Sequence, residues 1–447
     1  MRVHFIAIGG AAMHNLALDL LASGWQVTGS DDEIYEPALS RLENAGISPQ
    51  KFGWFDDKIT SDIDVVILGM HAKKDNPELV RALDIGLKVV SYPEFVASQS
   101  AHKKRVVIAG SHGKTTTTSI ILHVLKNAGL SFDYLVGSYI EGFDRMTQLS
   151  DAPIIVIEGD EYLSSPIDLV PKIHHYKPHL SVITGISWDH INVFPTFEIY
   201  TEQFSKYIEL HEQNATIFYD QEDEVLCQVV LKSERKDITF VPYSSLGLSA
   251  QKQVVFEETH FDFPLIGRHN QKNASAAMLV CENLGIDRFD FFKYLQSFTG
   301  AKKRLQVLWN KPETKGFLDF AHAPSKVKAT VTSVKEWFDM PLIAFLELHT
   351  FSSLNEGFLS EYKDTLNSAD KSFVYIDGHT LQMKGKTAIE NKTIQESFGD
   401  PELEIITDKE ALHQIITDFD FTNGVVLFMS SGTFSQFDFK TFAEKII

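Results

Sequence analysis

Gly110-Ser111-His112-Gly113-Lys114-Thr115-Thr116-Thr117 brings together residue types that handle phosphate. The β-branched run Val106-Val107-Ile108 precedes it, and apolar positions Ile120, Ile121, Leu122, Val124 and Leu125 follow at helical spacing. A strand, a glycine loop and a helix N-terminus are expected. Backbone N–H groups and the helix dipole at such a start attract anions. Lys114 is suited to the outer phosphates of a nucleotide, and the Thr115 hydroxyl to Mg²⁺. The strict eight-residue phosphate-loop pattern fails, because Ile108 stands where its first glycine belongs. A chance strand–turn–helix is the alternative reading.

Further residues of chemical interest end other apolar runs. Val156-Ile157 leads into Glu158-Gly159-Asp160-Glu161, and Ile183-Thr184-Gly185 leads into Asp189-His190. An acid at the end of a strand beside a phosphate loop is placed to hold Mg²⁺, so Thr115, Glu158 and His190 form the candidate metal set. Solvated turns are the plain alternative. Near Gly267, His269, Asn270 and Asn273 offer paired donors and acceptors suited to a purine edge, with helix capping by Asn270 as the structural alternative. Lys302-Lys303-Arg304 is either a solvated run or a source of a guanidinium for the γ-phosphate. Asp319 and His322 close an apolar run ahead of Pro324. At the N-terminus, Gly9-Gly10 follows a strand pattern and Ser30-Asp31 follows the next one. Asp31 stands where a dinucleotide fold places its ribose-binding acid, although the turn lacks the full glycine spacing.

These residues must be carried by strands that alternate with helices. The pattern predicts strands at 3–8, 25–29, 64–68 and 88–91, then a polar linker at 98–104. A second set follows at 153–158 and 180–185, a more irregular β-rich insertion at about 215–265, and a helix over 270–284. A third set lies at 316–320, 342–346, 372–376 and 425–429, with a helix over 325–337. Such alternation implies parallel sheets covered by helices on both faces. The chain of 447 residues carries a net charge of −19, which argues against a general nucleic-acid or anionic-membrane surface. Its two cysteines form no metal or redox spacing, and no apolar run reaches about 18 residues, so a cytoplasmic protein without membrane insertion is expected. Nothing in the sequence fixes an oligomeric state.

Taken in order, the motifs resemble those of the Mur ligases. The loop at 110–117 is similar to their GTHGKTTT, and Glu158 to Glu161 to their EADE. Asp189-His190 is similar to their DH pair, and His269-Asn270 with Asn273 to HNxxN. Lys303-Arg304 and Asp319 to His322 match their basic pair and DxxH. The resemblance implies an α/β protein of three domains. These are an N-terminal Rossmann-like UDP-binding domain (1–102), a central P-loop ATPase-like domain (103–300) and a C-terminal Rossmann-like amine-substrate domain (301–447). It implies an ATP- and Mg²⁺-dependent ligase that activates a carboxylate as an acyl phosphate for an incoming amine. Lys114, Glu158, His190 and Arg304 are then the catalytic candidates. ATP would be held by Gly110 through Thr116, His269, Asn270, Asn273, Arg304 and Asp319. Gly10, Ser30 and Asp31 would face UDP and His112 the muramoyl end, with His322 and His349 as further substrate contacts.

Branches that add later residues usually carry a carbamylated lysine about sixteen positions into the DH segment. Phe204 stands in that register here, which implies a muramate-activating branch. Ile34-Tyr35-Glu36-Pro37, Glu161-Tyr162 and His174-His175-Tyr176-Lys177-Pro178 resemble the branch that joins UDP-N-acetylmuramate to the recycled tripeptide L-Ala-γ-D-Glu-meso-diaminopimelate. Glu347-Leu348-His349-Thr350-Phe351-Ser352 instead resembles the L-alanine-adding branch. A non-catalytic nucleotide-gated binding protein is the third alternative.

Overall fold

The computed structural model describes residues 1–189, 193–300, 304–350, 352–378, 381, 389–419, 421 and 423–446. They form two compact units, one of residues 1–264 and 272–299, the other of 265–271 and 300–447. Among the described residues no helix is long and apolar enough to cross a membrane.

The first unit opens with four parallel strands in the spatial order Gln26–Ser30, Arg2–Ile6, Val65–Leu68, Val89–Ser91. Val3, Phe5, Ile6 and Val65 to Leu68 are buried on both faces, as a parallel sheet with helical cover requires. Ile6 pairs with Ser30 and with Leu68, so the carboxyl ends of these strands share one edge. The Gly9-Gly10 turn and Asp31 emerge from that edge.

A second sheet has seven strands, ordered Thr239–Tyr243, Thr216–Asp220, Leu180–Ile183, Lys104–Ala109, Ile154–Glu158, Asp133–Leu135 and Thr147–Gln148. All neighbours are parallel except the last pair. The phosphate loop therefore leaves the middle of the sheet, flanked by the strands that deliver 158–161 and 184–189. Half of the expected insertion at 215–265 is no insertion. Thr216–Asp220 and Thr239–Tyr243 extend the parallel sheet around the helix Glu224–Lys232, and Gln253–Phe256 with Thr259–Asp262 makes a separate hairpin. Short strands joined by irregular polar stretches hid this βαβ unit.

The expected linker at 98–104 is also corrected. Ser98 belongs to the helix Tyr92–Gln99 and Lys104 begins a strand. Between them Lys103 is buried, its ammonium 2.7 Å from Asp133 and donating to the carbonyls of Ser150 and Ala152. Polar composition marked a satisfied buried charge here, not a solvated tether. The two sheets are joined elsewhere too. Asn15 Oδ1 accepts from the Met146 N–H at 3.1 Å and Asp19 from the Leu149 N–H at 2.8 Å.

The second unit has a six-stranded sheet ordered Gln306–Asn310, Thr314–Asp319, Gly424–Met429, Leu342–Glu347, Lys371–Tyr375, Glu404–Ile406, parallel except for its first pair. Phe345 stacks on Phe373 at 4.5 Å and on Phe428 at 5.1 Å, giving one face an aromatic core.

Candidate active site

Two glycines shape the phosphate loop. Gly110 has φ +110°, and a Cβ there would sit 2.5 Å from Thr184 Oγ1. Gly113, at φ +83°, precedes the helix Lys114–Asn127 with no side-chain cap, which leaves that helix start open to an anion. Ser111, Thr115 and Thr116 are buried, while His112 and Lys114 are half-buried.

Lys114 donates to the Gly110 carbonyl at 2.5 Å and to Glu161 Oε2 at 2.9 Å. Burial alone would lower its pKa. The charge and hydrogen bond of Glu161, with Asp160 and Glu158 nearby, outweigh burial and shift it upward. The Thr115 hydroxyl donates to Glu158 Oε1 at 2.5 Å, and the Gly137 N–H to Oε2 at 2.6 Å. Asp160 pairs with Lys172 at 2.5 Å. The strand ends thus bring Lys114, Thr115 and Glu158 together as the sequence suggested. His190 lies outside the described residues, as do Lys302 and Lys303. Phe204 is fully buried, edge-on to Tyr200 at 5.4 Å.

On the helix Arg268–Asn283, Asn273 belongs with the phosphate loop: a Cβ on Gly113 would lie 2.2 Å from its Oδ1. His269 and Asn270 belong to the second unit. His269 faces Ser333 Oγ at 3.1 Å, and burial lowers its pKa although Asp319 acts the other way. Asn270 lies inside the helix and donates to the Ile266 carbonyl at 2.8 Å, so the capping alternative is set aside.

Also in the second unit, Asp319 accepts the N–H groups of Leu305 at 2.7 Å and Ala321 at 2.8 Å, fixing the chain on either side of the strand end. The Arg304 guanidinium lies 5.0 Å from the centre of the Phe320 ring, and His322 Nδ1 is 2.8 Å from the Phe320 carbonyl. His349 stands 4.0 Å from Glu347, a buried carboxylate that also accepts from Ser430 and from the Phe434 N–H.

At the edge of the first sheet, Gly10 begins the helix Ala11–Ala22 without a side-chain cap. Asp31 accepts the Gly9 N–H at 2.7 Å, and burial raises its pKa to about 6. Ser30 accepts from Lys58 at 2.8 Å. Sequence reasoning missed Lys58, Gly137 and Tyr200, and it gave Glu161 no role of its own. The acidic run 158–161 was the signal for Glu161. Lys58 and Gly137 had none, since a turn lysine and a loop glycine are common anywhere.

A strand-centred phosphate loop facing a Thr–carboxylate pair agrees with two family models. The Mur ligase family catalytic domain matches residues 2–104, and the Mur ligase middle domain matches 108–281. The UDP-N-acetylmuramate–L-alanine ligase of Carboxydothermus hydrogenoformans is 30% identical over 386 residues, spanning 83% of this chain and 81% of that protein. The chain belongs to the Mur ligase family. This Mur ligase is also 26% identical to the UDP-N-acetylmuramate–L-alanyl-γ-D-glutamyl-meso-2,6-diaminoheptandioate ligase of Haemophilus influenzae, over 97% of the chain and 96% of that protein. A murein peptide ligase structure from Psychrobacter arcticus superposes with a TM-score of 0.68 at 22% identity, covering 100% of this chain and 99% of its own. Mur ligases form amide bonds at the expense of ATP, and this protein is an ATP-dependent carbon–nitrogen ligase.

Proposed function

We propose that this ligase joins the lactyl carboxylate of UDP-N-acetylmuramate to the amine of L-Ala-γ-D-Glu-meso-diaminopimelate, through an acyl phosphate, in peptidoglycan recycling. The observation that carries this reading is the buried Phe204 in the register of the carbamylated lysine, which favours a muramate-activating branch. The segments 34–37, 161–162 and 174–178 then favour the tripeptide over a single amino acid.

A carboxylate acylates poorly at neutral pH, and phosphorylation supplies its leaving group. The lactyl carboxylate attacks the γ-phosphate of ATP and expels ADP to give an acyl phosphate; the amine then attacks the acyl carbon, and the tetrahedral intermediate collapses to the amide with loss of phosphate and a proton. Both steps concentrate negative charge, so fixed cations and N–H dipoles dominate the acceleration. Lys114 and Arg304 serve the γ-phosphate in this reading, and Asn273 the adenine. Asp319 keeps its strand-end geometry and offers remaining lone pairs to the ribose. The Thr115 hydroxyl and Glu158 carboxylate are hard oxygen donors that fit Mg²⁺, with His190 assigned to a second ion. Bound Mg²⁺ would offset charge on the transferring phosphoryl group.

A second reading, L-alanine as the amine, is favoured by the segment 347–352 and by relatives such as the Carboxydothermus enzyme. Phosphate release with ATP, Mg²⁺ and UDP-N-acetylmuramate separates the two, with products identified by mass. Turnover with the tripeptide and not with L-alanine is expected. Turnover with L-alanine alone overturns the proposal and places the enzyme in de novo peptidoglycan synthesis.

A further inference from the structure

We infer that Tyr200 is a positioning residue for the phosphate-loop lysine, acting through Glu161; this rests on the reading that Lys114 meets the phosphates of ATP. Tyr200 lies on the helix Phe197–Glu209 and is fully buried, its ring met edge-on by Phe194 at 5.5 Å and Phe204 at 5.4 Å. Its hydroxyl is 3.1 Å from Glu161 Oε1 and 2.9 Å from Ser111 Oγ.

Proton accounting fixes the directions. The Tyr200 hydroxyl donates to Glu161 Oε1. Burial, with the Glu161 charge added, shifts the phenol far above its usual range and keeps it a donor. Ser111 Oγ accepts the Ser187 N–H at 2.8 Å and has one proton for the Ser187 carbonyl or the Tyr200 oxygen. The other oxygen of Glu161 takes Lys114. One phenol therefore ties the start of the loop, at Ser111, to its end, at Lys114.

A phenylalanine would fill the same apolar space, so packing alone does not call for the hydroxyl. A lysine ammonium on a flexible four-carbon stem has no preferred direction of its own. It is preorganised for phosphate only if its carboxylate anchor is held as well. Glu161 is 1% exposed, and loss of the hydroxyl takes away the donor to its Oε1 and loosens the anchor.

The test uses the full-length enzyme and the variants Tyr200→Phe, Glu161→Gln, the double variant and Lys114→Ala. ADP affinity is read by calorimetry, and steady-state parameters by phosphate release. Tyr200→Phe is expected to stay folded with a thermal midpoint only a few degrees lower and to keep the KM for UDP-N-acetylmuramate, while weakening ADP and raising the KM for ATP roughly tenfold. The double variant should be no worse than Glu161→Gln, because the two groups act in series. The proposal is overturned if Tyr200→Phe is silent, if its effect multiplies with that of Glu161→Gln, or if both substrates' KM values move together. Lys114→Ala separates the two levels. Retained ADP affinity and turnover in that variant defeat the phosphate reading itself, whereas a dead Lys114→Ala with a silent Tyr200→Phe defeats only the role given to Tyr200.

Discussion

Replacing Gly113 with alanine places a methyl carbon 2.2 Å from Asn273 Oδ1, with Cγ and Nδ2 of the same side chain at 3.1 and 3.3 Å. Real Cβ contacts essentially never fall below 3.0 Å, so Asn273 must swing aside by most of an ångström. The left-handed backbone at φ +83° adds about 1–2 kcal/mol for any residue with a Cβ. Displacing a buried amide adds an amount of similar size, and the whole substitution should cost about 2–4 kcal/mol. Asn273→Ala removes all three colliding atoms. In that background Gly113→Ala should cost only the backbone term, leaving a coupling of about 1–2 kcal/mol between the two sites. Thermal unfolding followed by tryptophan fluorescence reads the cycle, with Gly113→Ala alone lowering the midpoint by roughly 4–8 °C. ADP titration should show that Gly113→Ala weakens the nucleotide, since the loop and the proposed adenine contact are disturbed together. The reasoning fails if Gly113→Ala leaves the midpoint within a degree of wild type, or if it costs as much without the Asn273 side chain as with it.

Lys103→Met leaves the buried Asp133 without its counter-charge and strips two carbonyls of a donor. A loss of about 3–5 kcal/mol is expected in urea unfolding, and a near-neutral result would count against the buried pair. Asp31 gives a signed pH test. Its folded-state pKa, raised to about 6, favours the protonated form, so the stability it contributes is present at low pH and lost as pH rises from about 4 to 6. Unfolding free energies of wild type minus Asp31→Asn should fall across that window by about 1–2 kcal/mol, solvent screening at this partly buried carboxyl taking up the rest, and a flat difference would refute the burial argument. Chelation with EDTA should abolish phosphate release and excess Mg²⁺ restore it, with Thr115→Val requiring more Mg²⁺ for half-maximal rate; equal Mg²⁺ dependence in that variant removes Thr115 from the proposed metal set.

The positions of the main strands and the edge at which the chemistry collects were legible because strand-then-glycine and strand-then-acid patterns are local. Lys114, Thr115 and Glu158 each end or follow a short apolar run, and a parallel sheet brings such ends to one side. What resisted reading was long-range satisfaction of charge. Lys103 looked solvated because its partner Asp133 lies thirty residues away on another strand. Tyr200 drew no notice, because the partner of a hydroxyl is invisible to periodicity. The interval 215–265 was misjudged because Thr216–Asp220 and Thr239–Tyr243 are short strands and the nine-residue helix Glu224–Lys232 between them is set off by polar stretches. In the second unit, Asp319 was singled out as a residue of interest, yet nothing in the sequence announced that the Leu305 and Ala321 N–H groups hold its carboxylate.

The tie between the first two sheets has a bearing on how this protein can be recombined with its relatives. Asn15 and Asp19 on one sheet's helix satisfy backbone N–H groups of Met146 and Leu149 beside the other, and Ser91 Oγ reaches Asp168 at 3.1 Å. A chimaera whose first hundred residues bring no acceptors in place of Asn15 and Asp19 would keep the host's loop and orphan its Met146 and Leu149 N–H donors. The heritable module is the pair of sheets together with the helix that carries Asn273, so a crossover that preserves folding should fall near residue 300 rather than at the start of the phosphate-loop strand.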